Sequence, residues 1–190
     1  FNYTPLDATE AKRGTIGIPR VLNMYEDYPF WFTFLTNLGF RVIISEKSTR
    51  KTYEKGMESM PSESVCYPAK LAHGHIMSLI EQGINTIFYP CIPYSRKEFN
   101  QSDNHFNCPI VISYSEVIKN NVETLLEKEI KYINPFLPID NTKNLVTVVK
   151  NLDCFKEYNF TKKELEVAAN AAEKEYQKYK SDIRKKGKEV

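Results

Sequence analysis

The apolar residues of this chain fall into short β-branched runs that alternate with longer amphipathic stretches, and glycine or proline marks most of the borders. Thr15 to Ile18 is the first run, closed by Pro19, and predicts a strand. From about Tyr25 to Leu38 the pattern is aromatic-rich, with Gly39 placed as a C-terminal stop, which predicts a helix. Phe40 to Ser45 is a second strand, followed by a short polar helix over Arg50 to Lys55 that ends at Gly56. A Pro/Ser loop, Met60 to Val65, leads to a helix over Pro68 to Gln82, where proline suits the first turn and Gly83 the position after the end. Ile84 to Tyr89 predicts a third strand, ended by Pro90. Beyond a long loop poor in apolar residues, Ile92 to Asn107, the run Ile110 to Ser113 predicts a fourth strand and Ser115 to Glu127 another helix.

Strands separated by helical patterns of about 10 to 15 residues signal βαβ units. Residues 14–134 are therefore expected to form a Rossmann-like α/β domain, with a mostly parallel sheet and helices on both faces. Residues 135–190 change character. Pro135 and Pro138 punctuate a linker, Asn144 to Phe155 has a helical pattern, and Thr161 with Glu164 forms a capping box that opens a long charged helix. On this C-terminal helical extension Leu165, Ala168, Ala172, Tyr176, Tyr179 and Ile183 recur at three- and four-residue spacing, so one face is apolar and is expected to pack on a neighbour.

Composition narrows the function classes. The 190 residues are 42% hydrophobic and 26% charged, which excludes a disordered or fibrous chain. Lys and Arg number 26 against 24 Asp and Glu, and the basic residues gather only at Arg184, Lys185, Lys186 and Lys188, too weak a field to expect nucleic acid. The most apolar stretch, Phe30 to Leu35, is far short of the roughly 20 residues that span a bilayer, so no membrane segment is expected. Four cysteines are too few for a disulfide-dense secreted scaffold and no signal-peptide pattern is present, so the expected location is cytoplasmic. The start at Phe1 rather than Met is what a processed chain or a piece of a longer one would show.

Candidate chemistry concentrates in three of the cysteines. Cys66 stands two residues before Pro68 at the mouth of a predicted helix, where unpaired N–H groups and the positive end of the dipole favour a thiolate. Cys91 follows the third strand, at the edge of a parallel sheet where ligands gather. Cys108 opens what is predicted to be the fourth strand, which would put it at the opposite edge unless the long loop folds back or the strand runs antiparallel. Each of the three abuts a proline or lies one residue from one, a loop-fixing context that suits metal ligands. Their spacings match no compact zinc or ferredoxin pattern, and core-filling is the ordinary role of a free cysteine, as expected for Cys154. His73 and His75 flank Gly74 and point to different faces of a helix, so ordinary packing is expected of each. Lys70 is expected to be a solvated lysine, with neutralising an anion near the helix mouth as its alternative role, and His105 is a weak additional ligand. No nucleotide-phosphate loop, nucleophile elbow or zinc-protease motif occurs.

Five strings, RGTIGIPRVLNMYEDYPFWFTFLTNLGFRV (Arg13 to Val42), SESVCYPAKLAHGHI (Ser62 to Ile76), IFYPCIPYSRKEF (Ile87 to Phe99), NCPIVISYSEVIKNN (Asn107 to Asn121) and INPFLP (Ile133 to Pro138), resemble the DUF2229 region of large bacterial proteins related to the activators of 2-hydroxyglutaryl-CoA dehydratase. In that family tandem ATPase domains precede such a segment in one long polypeptide, which would account for the Phe1 start. The resemblance implies an iron–sulfur cluster, of the 4Fe–4S kind, on cysteines widely spaced along a Rossmann-like domain. Cys66 and Cys91 look like counterparts of those ligands, and Cys108 is the third candidate, within a family-like N-C-P string. The implied function is that of a non-catalytic electron-transfer module, with partners in the ATPase domains of the same polypeptide and in a CoA-ester dehydratase or reductase. Two alternatives stand beside it: a metal-free interaction domain that docks partner subunits or the ATPase domains, and a structural zinc domain using Cys66, Cys91, Cys108 and His105.

Overall fold

The computed structural model describes residues 3–189; Phe1 lies outside the described residues. The elements are β1 (Thr15–Ile18), α1 (Met24–Asn37), β2 (Arg41–Ile44), α2 (Arg50–Gly56), α3 (Tyr67–Glu81), β3 (Thr86–Phe88), α4 (Pro109–Asn121), α5 (Thr124–Glu127), β4 (Lys131–Ile133), α6 (Thr142–Asn151) and α7 (Lys162–Glu189). The four strands are all parallel and lie in the order β2-β1-β3-β4. The α/β architecture expected from the alternating pattern is therefore present, with a long helix at its C-terminal end.

Sequence-encoded stops set several borders. Gly39 and Gly83 both adopt positive φ, +85° and +78°, and each lets the next residue's N–H reach back into the helix it ends, Phe40 to Leu35 and Ile84 to Leu79. The capping box closes reciprocally: the Thr161 N–H donates to Glu164 Oε2 at 2.8 Å and the Glu164 N–H to Thr161 Oγ1 at 3.1 Å.

The fourth strand corrects the sequence expectation. Ile110 to Ser113 opens α4 instead, because Cys108 caps that helix and Pro109 pre-sets its first turn. The β-branched run falls on a helical period in which Tyr114, Ile118 and, just past the helix end, Val122 are buried. The expected helix over Ser115 to Glu127 is the rest of α4 plus the short α5. The true fourth strand is only Lys131–Ile133, too short to carry a periodic signal. Likewise the helical pattern at Asn144 to Phe155 resolves into α6 and a 3₁₀ segment, Asp153–Tyr158.

Right-handed crossovers fix the layers. The chain moves from β1 outward to β2 and then back across to β3 and β4, so α1 covers one face of the sheet while α3 and α4 cover the other. Helix α7 packs along α1 and α6. This double cover explains why α1 is apolar nearly all round: Phe30, Trp31, Phe34 and Leu35 are buried between sheet and α7. On the other face α2 and α3 approach unusually closely at Gly74, where a Cβ would overlap the Thr52 carbonyl oxygen and stand 2.6 Å from its carbon. Among the described residues no helix is long and apolar enough to cross a membrane.

Candidate functional site at the carboxyl edge

Replacing the expected strand by α4 removes the conflict over Cys108. Helices that follow or precede parallel strands run antiparallel to them, so the N-termini of α3 and α4 lie at the carboxyl edge of the sheet, where Cys91 also sits just beyond β3. Cys66 caps α3 with extended backbone (φ −60°, ψ 148°), and its carbonyl accepts from the Ala69 and Lys70 N–H groups. Cys108 caps α4 in nearly the same conformation (φ −64°, ψ 153°), and its Sγ accepts from the Val111 N–H at 3.4 Å. Both residues are exposed.

Cys91 differs from these two. It is 0% exposed, its N–H donates to the Pro135 carbonyl and its own carbonyl accepts from the Leu137 N–H. Residues Ile87, Tyr89 and Cys91 alternate to one side of the strand, and the thiol lies against α4 beside Ser115 and Glu116. Burial pushes that thiol up to about 11, reinforced by the Glu116 charge. Glu116 is eight residues along α4 from the Cys108 cap, or ~12 Å of helix. All three cysteines therefore share an edge, yet among the described residues no three His, Cys, Asp or Glu side chains are grouped to hold one metal ion. Cys66 and Cys108 are open to an incoming group, whereas Cys91 in this packing is closed off. Cys154 is half-buried on the 3₁₀ segment against the core, in the packing role expected of it.

The histidines are structural. His75 shares hydrogen bonds with Ser45 Oγ (2.8 Å, Nδ1) and Ser48 Oγ (2.9 Å, Nε2), and His73 with Ser59 Oγ (2.8 Å, Nδ1) and the Tyr114 hydroxyl (3.1 Å, Nε2). Burial lowers both to about 4, so both are neutral at pH 7. The two rings, divided by the Gly74 contact, bind α3 to the β2–α2 loop and the 3₁₀ turn Met57–Ser59 on one side and to α4 on the other. Lys70 is half-buried, one turn into α3. His105 lies 3.5 Å from Asp140 of the β4–α6 segment and its ring packs against Tyr94, so it ties the β3–α4 loop to that segment.

Two features of this edge have no signal in the linear pattern. Arg96, from the long loop poor in apolar residues, is only 12% exposed. It bonds Asp27 of α1 and Glu173 of α7, both at 3.3 Å, with its guanidinium over the rings of Phe30 (4.6 Å) and Tyr176 (4.0 Å). The loop is thereby pinned across two helices. Burial raises Asp27 to about 6, against the opposing pull of Arg96. Second, the exposed aromatic residues, Tyr25, Tyr67, Tyr94, Phe99, Phe106 and Phe136, all lie on loops or helix starts at this same edge.

Residues 15–190 match the family model described as CoA enzyme activase uncharacterised domain (DUF2229). No curated protein and no solved structure matches the chain.

Proposed function

The chain belongs to the CoA enzyme activase uncharacterised domain family, and from that premise we propose that its carboxyl edge is the working surface of an electron-transfer module that serves a CoA-ester dehydratase or reductase under the drive of ATPase domains. The cofactor proposed is an iron–sulfur cluster of the 4Fe–4S kind, with Cys66, Cys108 and Cys91 as its ligands. The observation that carries this reading is the placement of Cys66 and Cys108 as exposed caps of two helices at the edge where Cys91 also sits. A cluster supplies single-electron transfer at low potential. The chain's own contribution is a pair of helix N-termini capped by cysteines, and at one of them the Val111 N–H donates to the Cys108 sulfur. The packing of Cys91 speaks against three-point ligation without movement of α4 away from Ser115 and Glu116.

Anaerobic reconstitution with iron and sulfide, followed by metal analysis and visible absorption, tests the proposal. It expects a cluster in the wild type that is lost in Cys66→Ser and Cys108→Ser. A wild-type chain that takes up no iron overturns it.

The second reading is a metal-free domain that docks partner subunits or ATPase domains. It is favoured by the ungrouped thiols and by the collection of exposed aromatics on one edge, since clustered exposed apolar side chains mark contact surfaces. Under it, Phe99→Ser with Phe106→Ser abolishes partner association while iron and zinc are absent from the protein as purified.

A further inference from the structure

Because β1 leads outward to β2 while β3 lies on its other side, the loops leaving β1 and β3 diverge to opposite faces and leave a crevice between them at the carboxyl edge. In an open parallel sheet this is where ligands ordinarily enter. A cavity of about 260 Å³ lies there, with Glu26 and Asp27 of α1 on one side and Ser95, Arg96 and Asn107 of the β3–α4 loop on the other. The chain closes the crevice with a side chain of its own. The Arg96 guanidinium stands between the Asp27 and Glu173 carboxylates and over the rings of Phe30 and Tyr176. The Asn23 amide donates in turn to the Asp27 carboxylate and holds it there.

The loop that supplies Arg96 has no hold on the hydrophobic core. From Pro93 to Asn107 no side chain is buried, and none packs against the core. Its backbone hydrogen bonds close on themselves: the Ser95 N–H donates to the His105 carbonyl and the Asn107 N–H to the Pro93 carbonyl, both at 2.9 Å, and the Ser102 N–H to the Phe99 carbonyl at 3.1 Å. Among the described residues no backbone–backbone bond joins this segment to the rest of the chain. Side chains tie it down instead. Besides Arg96, Glu98 bonds Lys180 of α7 at 2.6 Å, His105 lies 3.5 Å from Asp140, and at the base the Asn107 amide donates to the Ile92 carbonyl at 2.8 Å. Exposed pairs at the rim contribute little, so the hold falls mainly on Arg96. A segment with so few buried contacts opens more readily than the sheet beneath it.

We propose that residues 93–107 form a lid over the crevice between β1 and β3, latched by Arg96, and that the lid opens as one unit while the sheet and the helices stay folded. The internal backbone bonds keep its two arms together, so they leave with it, and the nearest buried residues on either side, Ile92 and Tyr114, anchor its ends in the core. Opening withdraws the guanidinium and leaves Asp27 and Glu173 beside the freed faces of Phe30 and Tyr176. Carboxylates next to ring faces are a setting that receives a guanidinium or ammonium group, so the closed lid fills its own crevice in the manner of a bound cation. The proposal is independent of any cluster on the cysteines.

Native-state hydrogen exchange of the ¹⁵N-labelled chain in low urea, followed by NMR, tests it. Expected is a single opening free energy for the Ser95 and Asn107 amides, which lie on opposite arms of the lid, below that of the β3 amides. Its urea dependence is weak, because lid opening exposes little surface, whereas the β3 amides show the full slope of global unfolding. In Arg96→Met the Ser95 and Asn107 amides exchange roughly thirtyfold faster, as loss of the latch implies. The comparison of lid with β3 in the wild type needs no variant and stands if Arg96→Met fails to fold. Exchange of Ser95 or Asn107 only through global unfolding, separate opening energies for the two amides, or unchanged lid exchange in a folded Arg96→Met chain overturns the proposal.

Discussion

Replacing Gly74 by alanine sets local propensity against tertiary packing with opposite signs. Gly74 lies in the middle of α3, where glycine is about 1 kcal/mol worse than alanine, so the local term favours the substitution. In the folded chain the new methyl would overlap the Thr52 carbonyl oxygen and stand 2.6 Å from the carbonyl carbon, when ordinary contacts begin at 3.4 Å. The obstacle is backbone on both sides, because Gly56 of α2 is equally close to Gly74 and His73. Relief requires the two helices to part by upward of ~1 Å, and interiors this dense do not absorb such a shift without loss. Parting them also stretches the hydrogen bonds of His73 to Ser59 and of His75 to Ser48, both of which cross the same seam. Overpacking costs about 1–3 kcal/mol, and two weakened buried hydrogen bonds add ~1 kcal/mol each, against a gain of ~1. The net expectation is a destabilisation of about 2–4 kcal/mol, a large share of a typical 5–15 kcal/mol. Urea unfolding followed by far-UV circular dichroism measures it. Gly187→Ala, in α7 with nothing within 4 Å of its Cβ position, is the control and is expected to be neutral or slightly stabilising. A Gly74→Ala chain as stable as wild type would refute the close approach of α2 and α3.

Thiol reactivity separates the cysteines: Ellman's reagent is expected to modify Cys66 and Cys108 in the native chain, whereas Cys91 reacts only at the rate of unfolding or of α4 opening. Rapid native labelling of Cys91, located by peptide mass, would contradict its burial. Stability is expected to fall as pH drops from about 6.5 toward 4. His73 and His75 have depressed folded values near 4, so their neutral forms contribute above 6.5 and that contribution is lost on acidification. Asp27, raised from 3.8 to about 6, opposes them by gaining its proton in the folded state. Two protons taken up by the unfolded chain against one by the folded chain leave a slope of about 1.4 kcal/mol per pH unit, which Asp27→Asn should roughly double. A flat profile in urea titrations at stepped pH would count against the buried histidines. Arg96→Met leaves two carboxylates facing each other without their cation, and is expected to cost about 2 kcal/mol, less than the usual cost of breaking a buried pair because Asp27 can protonate. Its signature is faster proteolysis within residues 92–107, and an unchanged cleavage pattern would show that Arg96 does not hold the loop.

How far the molecule is legible from its residues differs from element to element. The strand–helix alternation through Ile84 to Tyr89 is carried by local rules, because a β-branched run, a stop glycine and a capping box act over a few residues and need no distant partner. The run Ile110 to Ser113 misleads because strand preference and helix preference coexist there, and the cap at Cys108 with Pro109 decides between them. Lys131–Ile133 gives no periodic signal, since three residues become a strand only by pairing with β3. At the site, the helix-mouth position of Cys66 is visible in the prolines around it, whereas Arg96, Asp27, Asn23 and the aromatic edge belong together only after α1, α4 and α7 have packed.

By itself, then, the order of residues determined the α/β class, the parallel sheet, the two glycine stops and the family strings, because each rests on chemistry between near neighbours in the chain. Only the tertiary structure decided that Cys108 joins Cys66 and Cys91 at one edge, that Cys91 buries its thiol against α4 while the other two stay exposed, and that Arg96 bridges two helices. Those outcomes depend on the direction in which each crossover returns to the sheet and on which side of β3 a side chain emerges. Both are fixed by packing between segments far apart in sequence.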